Sequence, residues 1–266
     1  MQDDRTAKLS ERYNLEASAY RDLWAPVLRI SGRRLLGEFA GTAVERVIDI
    51  GAGVGSLSRD IAATFPDALL VGIDRSAGML ALAPAWLPRI VADARELPVA
   101  SGSADLVLLV FVLFHLEQPL DGLHEAHRLL RSGGQVGTVT WGAELESTGT
   151  RIWSKCLDEY GAAPPDPAAQ TRHDPVDTAR KVELLLRAAG FISIRTWEED
   201  LVSTFDIEHL LNLKSHLGGG KARFESLGMA AREACMRDAR RRMEALKPAD
   251  FVVKGKVVYA IAGRPA

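Results

Sequence analysis

The sequence predicts an α/β protein built on an open, doubly wound parallel sheet, and three observations predict it. Strand and helix patterns alternate from residue 44 to residue 141, the signature of parallel strands joined by helical crossovers. The strands are near-continuously apolar, as expected where helices cover both faces of a sheet. The first strand then runs into three glycines at alternate positions and opens a helix, in VIDIGAGVGSLS at 47–58. Bare backbone beside a helix N-terminus suits a nucleotide-like ligand.

Residues 9–40 read as helices, with Leu15, Ala19, Leu23, Val27 and Ile30 at helical spacing and Pro26 marking a break or kink. Strand 44–50 leads to helix 55–65, stopped by Pro66. Strand 69–73 leads to Asp74 and a helix from Ser76 to Leu82, ended by Pro84. A short strand, 89–92, leads to Asp93, and strand 105–112 leads to helix 119–130. Gly133 and Gly134 turn into strand 135–141. Residues 142–176, with Pro164, Pro165, Pro167 and Pro175, read as an irregular excursion after an initial helix. Helix 177–189 and strand 191–200 resume the pattern. Residues 205–248 read as two or three helices, one of which places Met229, Met236, Ala239, Met243 and Leu246 on one face. Strand 252–263 comes last, after this helical insertion, and is expected to pair antiparallel.

Composition narrows the function classes. With 47% hydrophobic and 26% charged residues in a chain of 266, this is ordinary globular material for one large domain or a domain with an elaborated lid. A formal net charge of −2 supplies no electrostatic footprint for nucleic acid or an anionic membrane. The longest apolar run, Leu106 to Leu116, suits a buried strand and is too short to cross a bilayer. Two cysteines, Cys156 and Cys235, make no disulfide framework, and the first residues lack a signal-peptide pattern, so a cytoplasmic location is expected.

The spacing of the glycine loop selects among ligands. A dinucleotide fingerprint needs G-x-G-x-x-G, but here the third glycine, Gly55, comes one place early and Ser56 stands in its position. No lysine follows, as a phosphate-cradling P-loop requires. The pattern D-x-G-x-G-x-G, from Asp49 to Gly55, resembles the first motif of the class I S-adenosylmethionine-dependent methyltransferases. Asp74 at the end of the second strand, Asp93 in VADARELP, the run ADLVLLVFVLFHL at 104–116 and the helix–Gly-Gly–strand passage RLLRSGGQVGTVTW resemble the family's succeeding motifs in order. The N-terminal YNLEASAYRDLWAP resembles the helical cover of its small-molecule, ubiquinone-biosynthesis-like branch.

That resemblance implies a Rossmann-like, seven-strand sheet: residues 44–200 and 251–266 form the cofactor-binding core, 1–43 an N-terminal helical cover, and 142–176 with 201–250 substrate-cap insertions. It implies S-adenosylmethionine as cofactor, held by Tyr13, Tyr20, Asp49, Gly51, Ala52, Gly53, Gly55, Asp74, Arg75, Met79, Asp93, Ala94 and Phe111. Asp74 would accept from the ribose hydroxyls, and Asp93 and the Ala94 N–H would reach adenine. Ile73 and Met79 would cover its faces, and a carbonyl near Phe111 would meet the ammonium. The acceptor would be a small or medium organic molecule with an O, N or C nucleophile. No nucleic-acid or membrane partner and no metal are expected, and a homodimer is left open.

Simpler readings stand beside these. Asp74 or Ser76 could serve as a helix N-cap, Asp93 as a polar loop residue, and Tyr13, Tyr20 and Met79 as ordinary packing. His115, just past the fourth strand, is the candidate base; it could equally be packed in the pocket without a role in catalysis. His173 and Asp174 could line a substrate cavity or simply belong to a loop. His124 and His127 form H-x-x-H without a third ligand. Arg237, Arg240, Arg241 and Arg242 read as a solvated helix face, and Gly218–Gly220 as a lid hinge or a flexible turn. Two rivals to methyl transfer remain: an NAD(P)-dependent oxidoreductase, and a protein of the same fold that binds cofactor or a partner without catalysis.

Overall fold

A computed structural model describes residues 2–145, 147–165 and 173–266. Seven strands form one sheet: β1 Arg46–Ile50, β2 Leu69–Asp74, β3 Arg89–Val91, β4 Ala104–Val110, β5 Leu130–Leu145, β6 Ile192–Thr204 and β7 Val252–Gly263. Their order is β3-β2-β1-β4-β5-β7-β6. The first five pair in parallel, while β7 inserts antiparallel between β5 and β6. The seven-strand α/β sheet predicted from the sequence is therefore present, with its antiparallel terminal strand.

Helices α1 Gln2–Ala19, α2 Ala25–Leu36, α3 Ser58–Thr64, α4 Ala77–Ala81, α5 Pro119–Leu129 and α7 Ala179–Ala188 accompany the sheet, and α6 Thr148–Glu159 follows β5. On one face α2 packs on β5 and α3; on the other α5 and α7 pack together over β4 to β7. The strand residues between them, such as Leu106 to Leu109, are fully buried, which is why those stretches read as unbroken apolar runs. Gly137 on β5 sits under α2: a Cβ there would meet the ring of Phe39 at 2.8 Å.

Several boundaries moved for physical reasons. The N-terminal helix is interrupted by a π-helical turn, Tyr20–Trp24, closed by the Ala25 N–H on the Tyr20 carbonyl. A π turn adds a residue and rotates the following face. Of the expected stripe, Val27 is buried and Ala19 and Leu23 are partly buried, while Leu15 before the turn and Ile30 beyond it are 73% and 56% exposed; Ala17, Leu28 and Leu35 join the buried face. Strand β4 stops at Val110 because Phe111 takes a left-handed φ of +59° and turns the chain into the 3₁₀ turn Leu113–His115. Gly133–Gly134 does not precede β5 but kinks it: Gly133 has φ +75°, and the pairing with β4 shifts register there. Arg264 clasps the kink through the Gly133 N–H and the Gly134 carbonyl.

The insertion before β7 contains α8 Ile207–His216, α9 Gly218–Glu225 and α10 Met229–Met243, which pack with α6 into a helical cluster. Gly218–Gly220 is helical rather than a turn. It begins α9, and a Cβ on Gly220 would lie 2.4 Å from the Lys214 carbonyl oxygen, so close helix approach explains that glycine. On α10 the buried face is Cys235, Ala239 and Met243, whereas Met229 is 80% exposed. Pro167, within the expected irregular excursion, lies outside the described residues.

Candidate functional site

The carboxyl ends of β1, β2 and β4 meet where β1 has its successor β2 on one side and β4 on the other. Ligands of open α/β sheets bind at such a switch point. After Ile50 the chain passes through Gly51, Gly53 and Gly55 with φ of +75°, +55° and +66°, a conformation open to glycine at low cost. Two backbone hydrogen bonds from Gly51 and Ala52 to the Ile73 carbonyl, at 2.7 and 3.0 Å, tie this loop to β2. A Cβ at Gly51 would meet Val112 Cγ2 at 2.3 Å, so the β4 turn closes against bare backbone.

Asp74 locks the loop from the next strand. Its Oδ2 accepts from the Gly53 N–H at 2.9 Å and its Oδ1 from the Ser76 N–H at 2.8 Å. Ser76 caps α4 by accepting from the Met79 N–H, so Ser76 is the N-cap and Asp74 belongs to the loop. Each Asp74 oxygen keeps acceptor capacity toward the cleft. Burial pushes its carboxyl above the usual carboxylate range, with the two backbone donors opposing.

The cleft has two lobes. The main lobe, about 680 Å³, is lined by Tyr13, Tyr20, Gly51, Gly53, Ile73, Asp74, Arg75, Met79, Asp93, Ala94, Phe111 and His115. A smaller lobe of about 420 Å³ shares Tyr20, Gly51, Gly53 and Phe111 and adds Asp49 and Ala52. Asp49 is 4% exposed on β1, and burial followed by the Asp74 charge pushes its carboxyl up to about 7. Of the residues expected to hold the cofactor, Gly55 lines neither lobe; its α-carbon faces Pro84 and Ala83. His173 and Asp174 do not line the cleft either.

Asp93 is already engaged: Arg95 grips both carboxylate oxygens at 2.9 Å and adds a backbone donor to Oδ1. Arg75 reaches the cleft from the other side, its guanidinium pKa lowered by burial against the opposing pull of Asp93 and Asp74.

Helix α1 forms the outer wall. Asn14 Oδ1 accepts from the Ser76 hydroxyl at 2.7 Å and the Gly78 N–H at 2.8 Å, and Gly78 carries no side chain where the Asn14 backbone passes. Two residues further, buried Glu16 accepts from the Gly218 N–H at 3.0 Å. Thus α1 is pinned to α4 on one side and to α9 on the other. Between these pins the Tyr13 hydroxyl lies 2.9 Å from His115 Nε2, with the rings edge to face. Burial, then Arg75, Arg12 and His173, hold the His115 pKa well below its ordinary value. Burial raises the phenols of Tyr13 and Tyr20.

Phe111, Trp141 and Trp24 continue as an aromatic ladder, with centroids 4.7 and 5.9 Å apart. Sequence reasoning missed Asn14, Arg12 and this ladder. The partners come together only through the fold, and nothing local marks them. His173 lies 4.8 Å from the Phe114 ring. His127 instead packs on Phe191, remote from the cleft lining. Among the described residues no cluster of three or more His, Cys, Asp or Glu could hold a metal, and no helix is long and apolar enough to cross a membrane.

Residues 48–137 match the methyltransferase domain family. A malonyl-[acyl-carrier protein] O-methyltransferase of Hahella chejuensis is 33% identical over 49% of this chain and 48% of its own length. The enzyme of the same name from Geobacter sulfurreducens is 27% identical over 81% of this chain and 82% of its own. At the higher identities the chain spans about half the length of the curated relatives it matches. The solved phosphoethanolamine N-methyltransferase 2 of Haemonchus contortus, with S-adenosylhomocysteine, superposes with a TM-score of 0.54 at 20% identity, over 94% of this chain and 57% of that one; it shares the fold. The family match falls on the stretch that carries the glycine loop, Asp74 and Asp93, the arrangement of an S-adenosylmethionine-dependent methyltransferase domain.

Proposed function

We propose that this protein transfers the methyl group of S-adenosylmethionine to a small or medium-sized organic acceptor. The observation that carries the reading is the left-handed glycine loop held by Asp74 in a cleft at the carboxyl ends of the strands. The residues fit the cofactor. Bare backbone at Gly51 and Gly53 lets an extended amino-acid arm lie close. Asp74 retains lone pairs for two ribose hydroxyls, and Ile73, Met79 and Leu116 offer apolar faces beside Asp93 and Ala94 for adenine. When bound, the cofactor supplies a methyl carbon made electrophilic by a sulfonium.

The protein's own work is positioning, which can account for roughly 7–11 kcal/mol of a barrier in ideal geometry. Tyr13 and His115 close the cleft between α1 and the turn after β4, and α1 reaches the helical insertion through Glu16. With its pKa held low, His115 is a weak base, and its hydrogen bond to Tyr13 makes it a positioning residue for the helix that walls the site. The two buried, unpaired cysteines suit a reducing compartment such as the cytoplasm. Support for a small-molecule acceptor comes from the relatives, which include a demethylmenaquinone methyltransferase of Clavibacter sepedonicus, 33% identical over half of this chain.

Calorimetric titration with S-adenosylhomocysteine tests the reading. Saturable binding is expected, weakened in a Gly53→Val variant. A folded sample that binds neither S-adenosylhomocysteine nor S-adenosylmethionine at millimolar concentration would overturn it.

A further inference from the structure

Helix α1 walls the outer side of the main lobe, yet it shares little of the main core. Tyr13 on α1 and Tyr20 just after it line the lobe. Of residues 7–19, only Glu16 and Ala17 are buried. Ala17 packs with Ala25, Val54 and Met79 in a small apolar cluster apart from the main one. The chain leaves α1 through the π turn Tyr20–Trp24, none of whose five residues is buried. Such turns recur at functional sites, and a segment with little buried apolar contact opens at low free energy.

Polar contacts seat the helix instead. Asn14 Oδ1 accepts from the Ser76 hydroxyl at 2.7 Å and from the Gly78 N–H at 2.8 Å. The same Ser76 gives its N–H to Asp74, which also holds the Gly53 N–H, so this clasp joins the hydrogen bonds that shape the glycine loop. A Cβ on Gly78 would lie 2.8 Å from Asn14 Cα and 3.0 Å from both its carbonyl oxygen and its Oδ1. At that point α4 meets α1 with bare backbone. From the unburied turn, the slight apolar packing and this clasp, we propose that α1 is a gate over the cleft and that Asn14 is its positioning residue, the release of whose clasp sets how fast the cofactor comes and goes. The inference rests on the methyl-transfer reading above for the identity of the ligand.

Opening at the π turn lifts Tyr13 and parts three polar contacts: Asn14 from α4, Tyr13 from His115, and Glu16 from the Gly218 amide. Water replaces each of them, so each opposes opening by a modest amount. Tyr13 and His115 line the lobe themselves, and a change in either alters ligand contact and closure together. Asn14 lines neither lobe, so a change there reaches the ligand only through α1. Gly78 separates the effects further. It is helical and also lines neither lobe. Alanine favours a helix over glycine, so Gly78→Ala adds one methyl group that presses on Asn14 without weakening α4.

Binding kinetics of tritiated S-adenosylhomocysteine on the full chain test this, with an unlabelled chase for dissociation and rapid mixing for association. Asn14→Leu is expected to speed dissociation roughly tenfold, as the loss of two hydrogen bonds would, with association no slower than wild type. Asn14→Asp, which keeps the acceptor oxygen, should stay within threefold. Gly78→Ala should speed dissociation at least fivefold while the melting temperature of the ligand-free chain stays within about 2 °C of wild type. The proposal falls if Asn14→Leu and Gly78→Ala both leave dissociation within twofold of wild type. It falls if Asn14→Asp dissociates as fast as Asn14→Leu, since the acceptor oxygen would then hold nothing. It falls equally if the variants slow association, because a damaged site rather than an open gate would explain the change. A wild-type chain that binds no S-adenosylhomocysteine is a different result: it sinks the methyl-transfer reading, and the gate with it.

Discussion

Residues 47–94 and the N-terminal helix, through Tyr13 and Tyr20, wall one cleft from opposite sides, and the two sides are built differently. On the first side the shape is made by backbone. Three left-handed glycines, two amides on the Ile73 carbonyl and one carboxylate on the Gly53 and Ser76 amides define it. On the second side the shape is made by side chains from elements far apart in sequence. Asn14 reaches Ser76, Glu16 reaches Gly218, and Tyr13 reaches His115. A backbone site tolerates few alternatives and leaves a short, spaced signature. A side-chain site can be rebuilt from many residue pairs and leaves none. The difference predicts where substitutions do most harm.

The largest effect belongs to Gly51→Ala. The new Cβ must occupy space 2.3 Å from Val112 Cγ2 at a φ of +75°. The left-handed conformation costs about 1–2 kcal/mol, and overpacking adds about 1–3 kcal/mol. Urea denaturation should show a loss of that summed order, with cofactor binding reduced beyond a hundredfold. Gly53→Ala should be milder, because its Cβ meets only the flexible Met79 Cε at 3.3 Å. Equal tolerance at both positions would break the claim that the loop's bare backbone is the site.

Asp74→Asn comes next. An amide in that place sets an N–H against one of the two backbone donors it now accepts from, and halves its capacity for ribose. Hydrogen bonds to charged groups contribute about 1.5–3 kcal/mol, so the dissociation constant of S-adenosylhomocysteine should rise roughly 10–100-fold. If 5′-methylthioadenosine, which keeps the ribose, lost no affinity to the same variant, Asp74 would not be the ribose acceptor.

Asp49 gives a pH signature. Its folded pKa of about 7 lies above the unfolded value near 3.8. The folded state therefore keeps a proton that the unfolded chain has lost between those values. Its contribution to stability is full below about pH 4 and declines as pH rises through 7. Relative to wild type, Asp49→Asn should gain roughly 1–3 kcal/mol in unfolding free energy between pH 4 and pH 8, less than the full shift would allow at 1.36 kcal/mol per unit. Parallel stability curves for the two proteins would show that Asp49 is ionised in the fold.

The same contrast explains what the sequence disclosed. Alternating apolar strands gave the sheet, and the terminal strand 252–263 was legible to the residue because turn signals bound it on both sides. Gly51, Gly53, Asp74 and Asp93 were legible because a strand end followed by glycine or acid fixes their location before any tertiary contact forms. The ring of contacts around Tyr13 was only half legible: the tyrosine and His115 each stood out, but 102 residues separate them and no periodicity joins them. Asn14 and Arg12 were invisible, since a polar residue on an amphipathic helix reads as solvated until its partner is known. The sequence marks a break at Pro26, whereas the π turn at Tyr20–Trp24 comes just before it and shifts the face that follows; Val27 of the expected stripe is buried there and Ile30 is not.

The smallest effect tests the exposed part of the acceptor side. Arg240 on α10 grips Glu208 on α8 with two hydrogen bonds, at 2.8 and 2.9 Å, and looks like a brace for the helical insertion. Both partners are exposed, at 39% and 62%, and exposed pairs lose in side-chain entropy and desolvation most of what they gain in attraction. The insertion is held instead by the buried face of Cys235, Ala239 and Met243. Glu208→Gln should therefore leave the melting temperature within about 1 °C of wild type, whereas Met243→Ala, at 2–5 kcal/mol for a buried methionine, should lower it by roughly 5 °C or more at about 2–4 °C per kcal/mol. A large drop for Glu208→Gln would mean that surface charge, not the buried helix face, sets the geometry over which an acceptor enters.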